Sequence, residues 1–154
     1  MKYFEEYQIG DHVELGSHRF EADEIKRFAE KYDPQRFHVD EEEAKSSVFG
    51  ALCASGWHTA AMWMRYNLTK PTAEGEWSGP GPEPEFGPSP GFRNLKWLKP
   101  VYAGETITFT RTGVAHRPIA SRPGWRLLTI RAEAFDSTET KVLEFESAVL
   151  VKVE

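Results

Sequence analysis

One segment near the middle of the chain is apolar on nearly every face that a helix would present. Residues 57–67 read Trp-His-Thr-Ala-Ala-Met-Trp-Met-Arg-Tyr-Asn and contain no proline or glycine. Ser55, just before this segment, is a favourable N-cap residue. A helix that is apolar most of the way round is normally buried. A chain of 154 residues must therefore provide another layer of structure to cover it.

Three later segments supply such a layer, because each alternates between apolar and polar residues as a strand does. They span residues 93–113, 125–136 and 141–153, and turn residues separate them. Residues 10–21 are predicted to form an opening strand or two. An antiparallel sheet with one solvated face and one face on the apolar helix gives an α+β fold.

Shorter helices are predicted between the first strand and the central helix. Apolar residues recur at helical spacing over 25–32, with Asp23 as the predicted N-cap. Pro34 disfavours helical geometry in the residue before it, so this helix should end near Asp33. Asp40 is predicted to cap a short acidic helical turn.

A segment rich in proline and glycine, at about 71–91, follows the central helix. It holds six of the ten prolines and five of the twelve glycines, and is predicted to be a long loop. Loops of this length are uncommon inside compact domains. Both a tolerated surface insertion and a lid that shapes a pocket are open interpretations. Residues 1–154 are predicted to form one domain that contains this insertion.

Composition and missing motifs exclude several functional classes. The net charge of -5 does not favour nucleic acid or an anionic membrane as a partner. The single cysteine, Cys53, rules out an internal disulfide and fits a reducing compartment. The sequence shows no secretory signal and no apolar run of about 18 residues, so a cytoplasmic protein is expected. Zinc-site spacing, phosphate loops and serine-hydrolase elbows are also missing, so neither a metal nor a nucleotide cofactor is expected.

Ionisable and polar groups are concentrated in residues 32–40, which read Tyr-Asp-Pro-Gln-Arg-Phe-His-Val-Asp. A turn fixed by proline can hold the Asp33 carboxylate and the His38 imidazole over one pocket. A histidine titrates near working pH and can take or give a proton. From the spacing alone, a purely structural Asp-Pro turn is the simpler interpretation.

Ser55 and Gly56, at the start of the central helix, form a second candidate. The first N–H groups of a helix have no partner within it, and the helix dipole is positive there. A glycine also allows close approach to the backbone. These N–H groups can therefore receive a carbonyl oxygen on which negative charge develops. An ordinary capped helix start is the alternative.

Taken together, these motifs resemble the MaoC-like dehydratases, a hot-dog family that includes R-specific enoyl-CoA hydratases. Residues 33–40 are similar to the family signature Asp-x-Asn-Pro-x-His-x-Asp and keep the Asp, the His and their five-residue offset. Phe49-Gly50 matches the hydrophobic-Gly step, and Ser55-Gly56 stands where the family has His-Gly. Residues 98–105 match the strand signature Phe-x-x-Pro-Val-x-x-Gly-Asp.

The resemblance implies a hot-dog fold, with an antiparallel sheet wrapped around a central buried helix. It implies a hydro-lyase that adds or removes water across the 2,3-bond of an enoyl-CoA or 3-hydroxyacyl-CoA. Asp33 and His38 would activate one water and handle the proton at the α-carbon, while the Gly56 N–H would hold the thioester oxygen. Coenzyme A would act as substrate carrier, with no other cofactor. A homodimer or a higher even oligomer is expected.

The departures from the family pattern suggest further contacts. Gln35 and Arg36 stand where the signature has Asn and Pro, and Ser55 replaces a His. Gln35 can orient the pair, while Arg36 can contact a substrate carboxylate or a phosphate. His58 is a candidate substrate contact, although a local hydrogen bond is its commoner role. Candidates for the coenzyme A phosphates are Lys99, Arg111, Arg117, Arg122 and Arg126.

Two other functions use the same fold. One is an acyl-CoA thioesterase, and the other is an acyl-CoA-binding subunit without catalytic activity. The helix at 57–67 contains no Asp or Glu, which argues against a thioesterase with an acid on the central helix. The intact Asp33 and His38 argue against a purely binding role.

Overall fold

A six-stranded antiparallel sheet forms most of the fold. The computed structural model describes residues 9–10, 12–69 and 83–152. The strands are β1 (His12–Arg19), β2 (Glu85–Phe86), β3 (Gly91–Trp97), β4 (Thr106–Pro118), β5 (Trp125–Phe135) and β6 (Lys141–Lys152). Their order is β1-β4-β5-β6, and both β2 and β3 pair with β6.

The strand predictions need two corrections. The segment predicted as a strand, 93–113, forms the two strands β3 and β4, which lie on either side of the Ala103-Gly104 turn signal within it, with Gly104 at a φ of 89°. The predicted loop at 71–91 contains β2, and β3 begins at its last residue. Residues 71–82 of that loop lie outside the described residues.

Four helices precede the main part of the sheet: α1 (Ala22–Tyr32), α2 (Arg36–Val39), α3 (Glu41–Lys45) and α4 (Gly56–Thr69). The predicted end of α1 at Asp33 and the Asp40 cap of α3 are confirmed, since the Asp40 side chain accepts a hydrogen bond from the Glu43 N–H. The N-cap of α1 is Glu21, and Asp23 lies in the first turn instead. The short helix α2 was not predicted.

The sheet curls around α4, which confirms the predicted hot-dog fold. Trp63 of α4 is fully buried in a core formed with Phe20, Ile107, Phe109, Leu128 and Leu143. The other side of α4 is open in the single chain, because Trp57, Met64 and Leu68 are 50%, 39% and 74% exposed. The apolar circumference of this helix is therefore only partly covered by its own chain. No helix in the described residues is long and apolar enough to cross a membrane.

Candidate active site

A cavity of about 430 Å³ lies at the N-terminal end of α4 and brings most of the predicted site residues together. It is lined by Asp33, Gln35, His38 and Gly56 from the predicted set. Its other walls are Phe37, Phe49, Cys53, Ala54, Trp57, Thr59, Trp97, Leu98, Lys99, Pro100, Val101 and Val142. The volume is in the usual range for a small-molecule site.

The Asp33 carboxylate is held at the rim of this cavity by two neutral donors. Asp33 caps α1, and its N–H donates to the Ala29 carbonyl at 2.8 Å. The Gln35 side-chain amide donates to Oδ1 at 2.7 Å, and the Ser55 hydroxyl donates to Oδ2 at 2.7 Å. Gln35 and Ser55 thus fix the orientation of the carboxylate through neutral donors.

The His38 imidazole is buried on the short helix α2, and one of its two nitrogens already makes a hydrogen bond within the protein. Nδ1 lies 2.6 Å from the Cys53 carbonyl oxygen. A carbonyl can only accept, so Nδ1 carries the proton in that bond. In the neutral imidazole, Nε2 therefore presents a lone pair.

That free nitrogen faces the carboxylate. His38 Nε2 lies 3.5 Å from Asp33 Oδ2, which is too long for a strong hydrogen bond. Both acceptors belong to residues that line the cavity, so a water in the cavity can contact both of them. The pair can therefore orient one water and receive its proton.

Gly56 begins α4 beside this pair, and the indole of Trp97 lies against it. A Cβ at position 56 would collide with the Trp97 ring, including its Nε1 at 2.5 Å. Glycine is thus required here for close packing as well as for access to the first helical N–H groups. Trp57 meets Trp97 edge to face, with the ring centroids 4.9 Å apart. The two indoles form one aromatic side of the cavity.

Cys53 also lines the cavity, and its sulfur lies 3.7 Å from His38 Nδ1. Burial, together with the Asp33 charge, raises the pKa of the Cys53 thiol to about 11. A thiol with such a pKa stays protonated at neutral pH and is a poor nucleophile. Cys53 and His38 therefore do not form an activated thiolate–imidazolium pair.

Lys99 is the member of the basic candidate set that lines this cavity; Arg111 and Arg117 line other surface cavities. The Lys99 ammonium lies 2.5 Å from Asp136 Oδ2. The hydrogen bond from Lys99 helps to hold the pKa of the Asp136 carboxyl well below its usual range, and Asp136 raises the pKa of Lys99. Lys99 is thus a positioned cation at the cavity.

Arg36 and His58, two predicted site residues, do not line the cavity. The Arg36 guanidinium donates to the Glu43 carbonyl oxygen at 3.1 Å and to the Ser46 hydroxyl at 3.2 Å. Arg36 therefore braces α2 against α3. His58 is buried and its Nε2 lies 3.1 Å from Glu24 Oε1. Both side chains contact neighbouring protein groups, and their predicted substrate contacts stay predictions.

Among the residues that line this cavity, sequence reasoning did not single out Cys53, Thr59 or Trp97. Thr59 could have been found from the sequence, because it lies one helical turn after Ser55. Trp97 could not, because it reaches Gly56 from β3, about forty residues along the chain. Its position just before the 98–105 motif is the only signal that the sequence carries.

Comparison with known proteins identifies the family of the chain. The family model described as "MaoC like domain" matches residues 6–122. An uncharacterized protein of Bacillus subtilis (strain 168), YdeM, is 30% identical over 148 residues, which cover 96% of this chain and 97% of that protein.

Solved structures give the same result. A MaoC-like dehydratase from Rhodospirillum rubrum is 35% identical, with a TM-score of 0.82 over 97% of this chain and 96% of that one. An (R)-hydratase from A. caviae involved in PHA biosynthesis shares the fold, with 20% identity and a TM-score of 0.69 over 94% of this chain and 96% of that one. From the family match and the similarity along nearly its whole length, the chain belongs to the MaoC-like domain family.

Proposed function

We propose that this protein is a hydro-lyase that adds water to, or removes it from, the 2,3-bond of an enoyl-CoA or 3-hydroxyacyl-CoA. The observation that carries the proposal is the pair of facing acceptors, Asp33 Oδ2 and His38 Nε2, 3.5 Å apart in a cavity that also contains Gly56. Family membership and the name of the Rhodospirillum rubrum relative, a MaoC-like dehydratase, support the same reaction class.

In the hydration direction, one water would lie in the cavity beside Asp33 and His38, within hydrogen-bond reach of both. Its oxygen bonds to C3 while one of its protons passes to His38 Nε2, the nitrogen with the free lone pair. The negative charge develops on the thioester oxygen, which the Gly56 N–H stabilises. The Asp33–His38 pair then returns one proton to C2, so that the protein ends in its starting protonation state. Dehydration follows the same steps in reverse.

Coenzyme A is proposed as the substrate carrier. Lys99, fixed by Asp136 at the cavity, is the basic residue best placed to attract a phosphate of that carrier. A cytoplasmic location is proposed as well, because Cys53 is a buried free thiol.

A homodimer or a higher even oligomer is proposed, with the whole chain acting as one hot-dog unit. Within the described residues, β3 pairs with β6 along one edge and shows no pairing along the other. Exposed large apolar side chains lie nearby on the same strand and beyond its end, at Phe92 and Leu98. An open edge flanked by apolar surface favours a second copy. Sedimentation should show a dimer or larger, and a monomer would contradict this.

The thioesterase alternative has less support. The helix α4 contains no carboxylate, and the Cys53 thiol is not activated. A purely binding role does not explain why Asp33 is held in place opposite the unpaired nitrogen of His38.

A substrate screen tests the proposal. Enoyl-CoA and 3-hydroxyacyl-CoA esters of different acyl length are incubated with the protein, and the absorbance of the conjugated thioester is followed in both directions. Interconversion of at least one pair is expected. Release of free coenzyme A instead, detected with a thiol reagent, would favour the thioesterase.

A further inference from the structure

A second cavity, of about 490 Å³, lies where the last turns of α4 face strands β4, β5 and β6. Within the described residues, it shares no lining residue with the first cavity. Most of its walls are apolar, among them Leu68, Leu128 and Val149. Its polar lining residues are Asn67, Ser89, Arg111 and Ser147. A cavity of this size, with apolar walls and a few convergent polar groups, is typical of a small-molecule site.

Arg111 places a charge on the face of the sheet that otherwise forms the core. Ile107, Phe109 and Arg111 are spaced by two residues along β4, so their side chains lie on the same face. Ile107 and Phe109 are fully buried in the core. An arginine in line with them loses part of its hydration, so its charge needs groups that accept hydrogen bonds from it.

The Arg111 guanidinium has no counter-charge in this cavity. Its Nη1 donates to Asn67 Oδ1 at 2.8 Å. In the described part of the chain, Arg111 forms no ion pair, and no Asp or Glu lines the cavity. A guanidinium has five N–H donors and binds a carboxylate through two of them. The neutral Asn67 therefore leaves both the positive charge and a paired set of donors available to a ligand.

Ser147 supplies a second, independent polar group. It is 7% exposed, and its hydroxyl makes no hydrogen bond to any of the described residues. Ser147 on β6 is directly opposite Ile130 on β5, and both line the cavity. Residues opposite each other in an antiparallel pair have their side chains on one face. A buried hydroxyl without a partner is uncommon, so a bound group that completes it is expected.

We propose that the second cavity binds the anion of a free carboxylic acid with an apolar chain. The carboxylate would lie on the Arg111 guanidinium, within reach of Ser147, and the chain would lie against the apolar walls. A single guanidinium balances the one charge of a carboxylate, whereas a phosphate ester carries more charge. The inference does not depend on the proposed function, because the ligand is an acid rather than a thioester and no residue of the first cavity takes part.

Calorimetry on the wild-type protein tests the charge and the chain separately. The probes are octanoate, octan-1-ol, octylamine and acetate. Octanoate should bind at least about tenfold more tightly than octan-1-ol, because hydrogen bonds to a charged group are lost in the alcohol. Octylamine, whose charge is repelled by Arg111, should bind more weakly still. Acetate keeps the carboxylate without the apolar chain and should also bind at least about tenfold more weakly than octanoate.

Variants then assign the binding to this cavity. Arg111→Met removes the charge and keeps an unbranched side chain, so octanoate binding should weaken about tenfold or more while octan-1-ol binding is unchanged. Arg117→Met, on the same strand but at another cavity, and Lys99→Met, at the first cavity, are the matched controls. Both should bind octanoate as wild type does. Arg111→Gln is the milder replacement in case Arg111→Met does not fold.

Melting temperatures give a second readout, because a ligand that binds only the folded state raises them. Octanoate should stabilise wild type and both controls but not the folded Arg111 variants. Octanoate binding that survives the loss of Arg111, or that disappears in Lys99→Met, would overturn the inference. Equal binding of octanoate and octan-1-ol, or no binding of octanoate to wild type, would also overturn it. Turnover of enoyl-CoA esters is measured independently, so the proposed function can fail while this inference holds, and the reverse.

Discussion

In the described part of the chain, a carboxylate meets a buried histidine in two clusters, and these differ in whether the imidazole lines a cavity. In the first, His38 Nε2 lies 3.5 Å from Asp33 Oδ2 and both residues line a cavity. In the second, His58 Nε2 lies within hydrogen-bond distance of Glu24 Oε1, at 3.1 Å. Among the described residues, His58 Nδ1 also has no hydrogen-bond partner, but it is buried and His58 does not line the cavity. A histidine held through Nε2 in the core can stabilise the fold, whereas one with an unpaired nitrogen beside a cavity can move a proton.

The surroundings strengthen this contrast. The His58 ring stacks on Phe28, with the centroids 4.5 Å apart, and meets Phe20 edge to face. Glu24 is shared with His18, whose Nε2 lies 2.9 Å from Oε1 and 3.0 Å from Oε2. This second cluster ties β1, α1 and α4 together. Residue type alone therefore does not distinguish the two clusters; access to a cavity favours Asp33 and His38 as the proposed catalytic pair.

The largest expected effect comes from disabling the first cluster. Asp33→Asn and His38→Ala should each lower kcat by roughly 10²–10⁴-fold, the usual contribution of a positioned acid or base. Circular dichroism and melting temperature serve as the check that each variant remains folded. Near-normal turnover in both would make residues 33–38 a structural turn.

The matching change in the second cluster should act on stability. His58→Ala removes a buried imidazole that contacts Glu24 and Phe28, and should lower the free energy of unfolding by about 1–3 kcal/mol. Turnover per folded molecule should stay within a few-fold of wild type. Denaturant titration and active-site-normalised kinetics measure the two effects. A loss of kcat as large as that of His38→Ala would contradict the proposal that only the first cluster acts in catalysis.

A smaller effect is expected from Ser55→Ala, which removes one of the two donors to the Asp33 carboxylate. We expect kcat/KM to fall about tenfold, which corresponds to about 1.4 kcal/mol. Ser17→Ala is the matched control, because the Ser17 hydroxyl makes a 2.7 Å hydrogen bond to Thr108 Oγ1 away from the cavity. Equal losses of kcat/KM in the two variants would show that the hydrogen bond from Ser55 to Asp33 has no particular role in catalysis.

The smallest effect concerns the pH dependence of stability. Burial lowers the pKa of His58 below 6.5, despite the opposing influence of Glu24. The unfolded chain then binds more protons than the folded chain below pH 6.5, so stability should decrease as the pH falls from 6.5 through the folded pKa. His58→Gln should flatten this part of the curve, as followed by denaturant titration at several pH values. If the free energy of unfolding changed equally with pH in wild type and in His58→Gln, His58 would not be the group responsible.

The sequence predicted the first cluster better than the second for a physical reason. Asp33, Gln35 and His38 lie in one short turn, so local geometry alone brings them together. Glu24 and His58 meet only after α1 has packed on α4, and nothing in their spacing indicates this contact.

Three features that the sequence did not reveal have similar causes. Arg36 turns away from the cavity because α2, a helix of four residues that the sequence did not reveal, directs it towards Glu43. Trp97 reaches Gly56 only through the pairing of β3 with β6. The exposed side of α4 shows that an apolar helix is not necessarily covered by its own chain.

The central claim, that Asp33 and His38 act on one water as a unit, is tested most directly by a double-mutant cycle. The kcat of wild type, Asp33→Asn, His38→Ala and the double variant is measured on one active substrate, with melting temperatures recorded for all four. Residues that work as a unit show strongly non-additive effects, so the double variant should be little worse than either single one. Losses that multiply, with a double variant far below both singles, would mean that the two side chains act independently and would contradict the account.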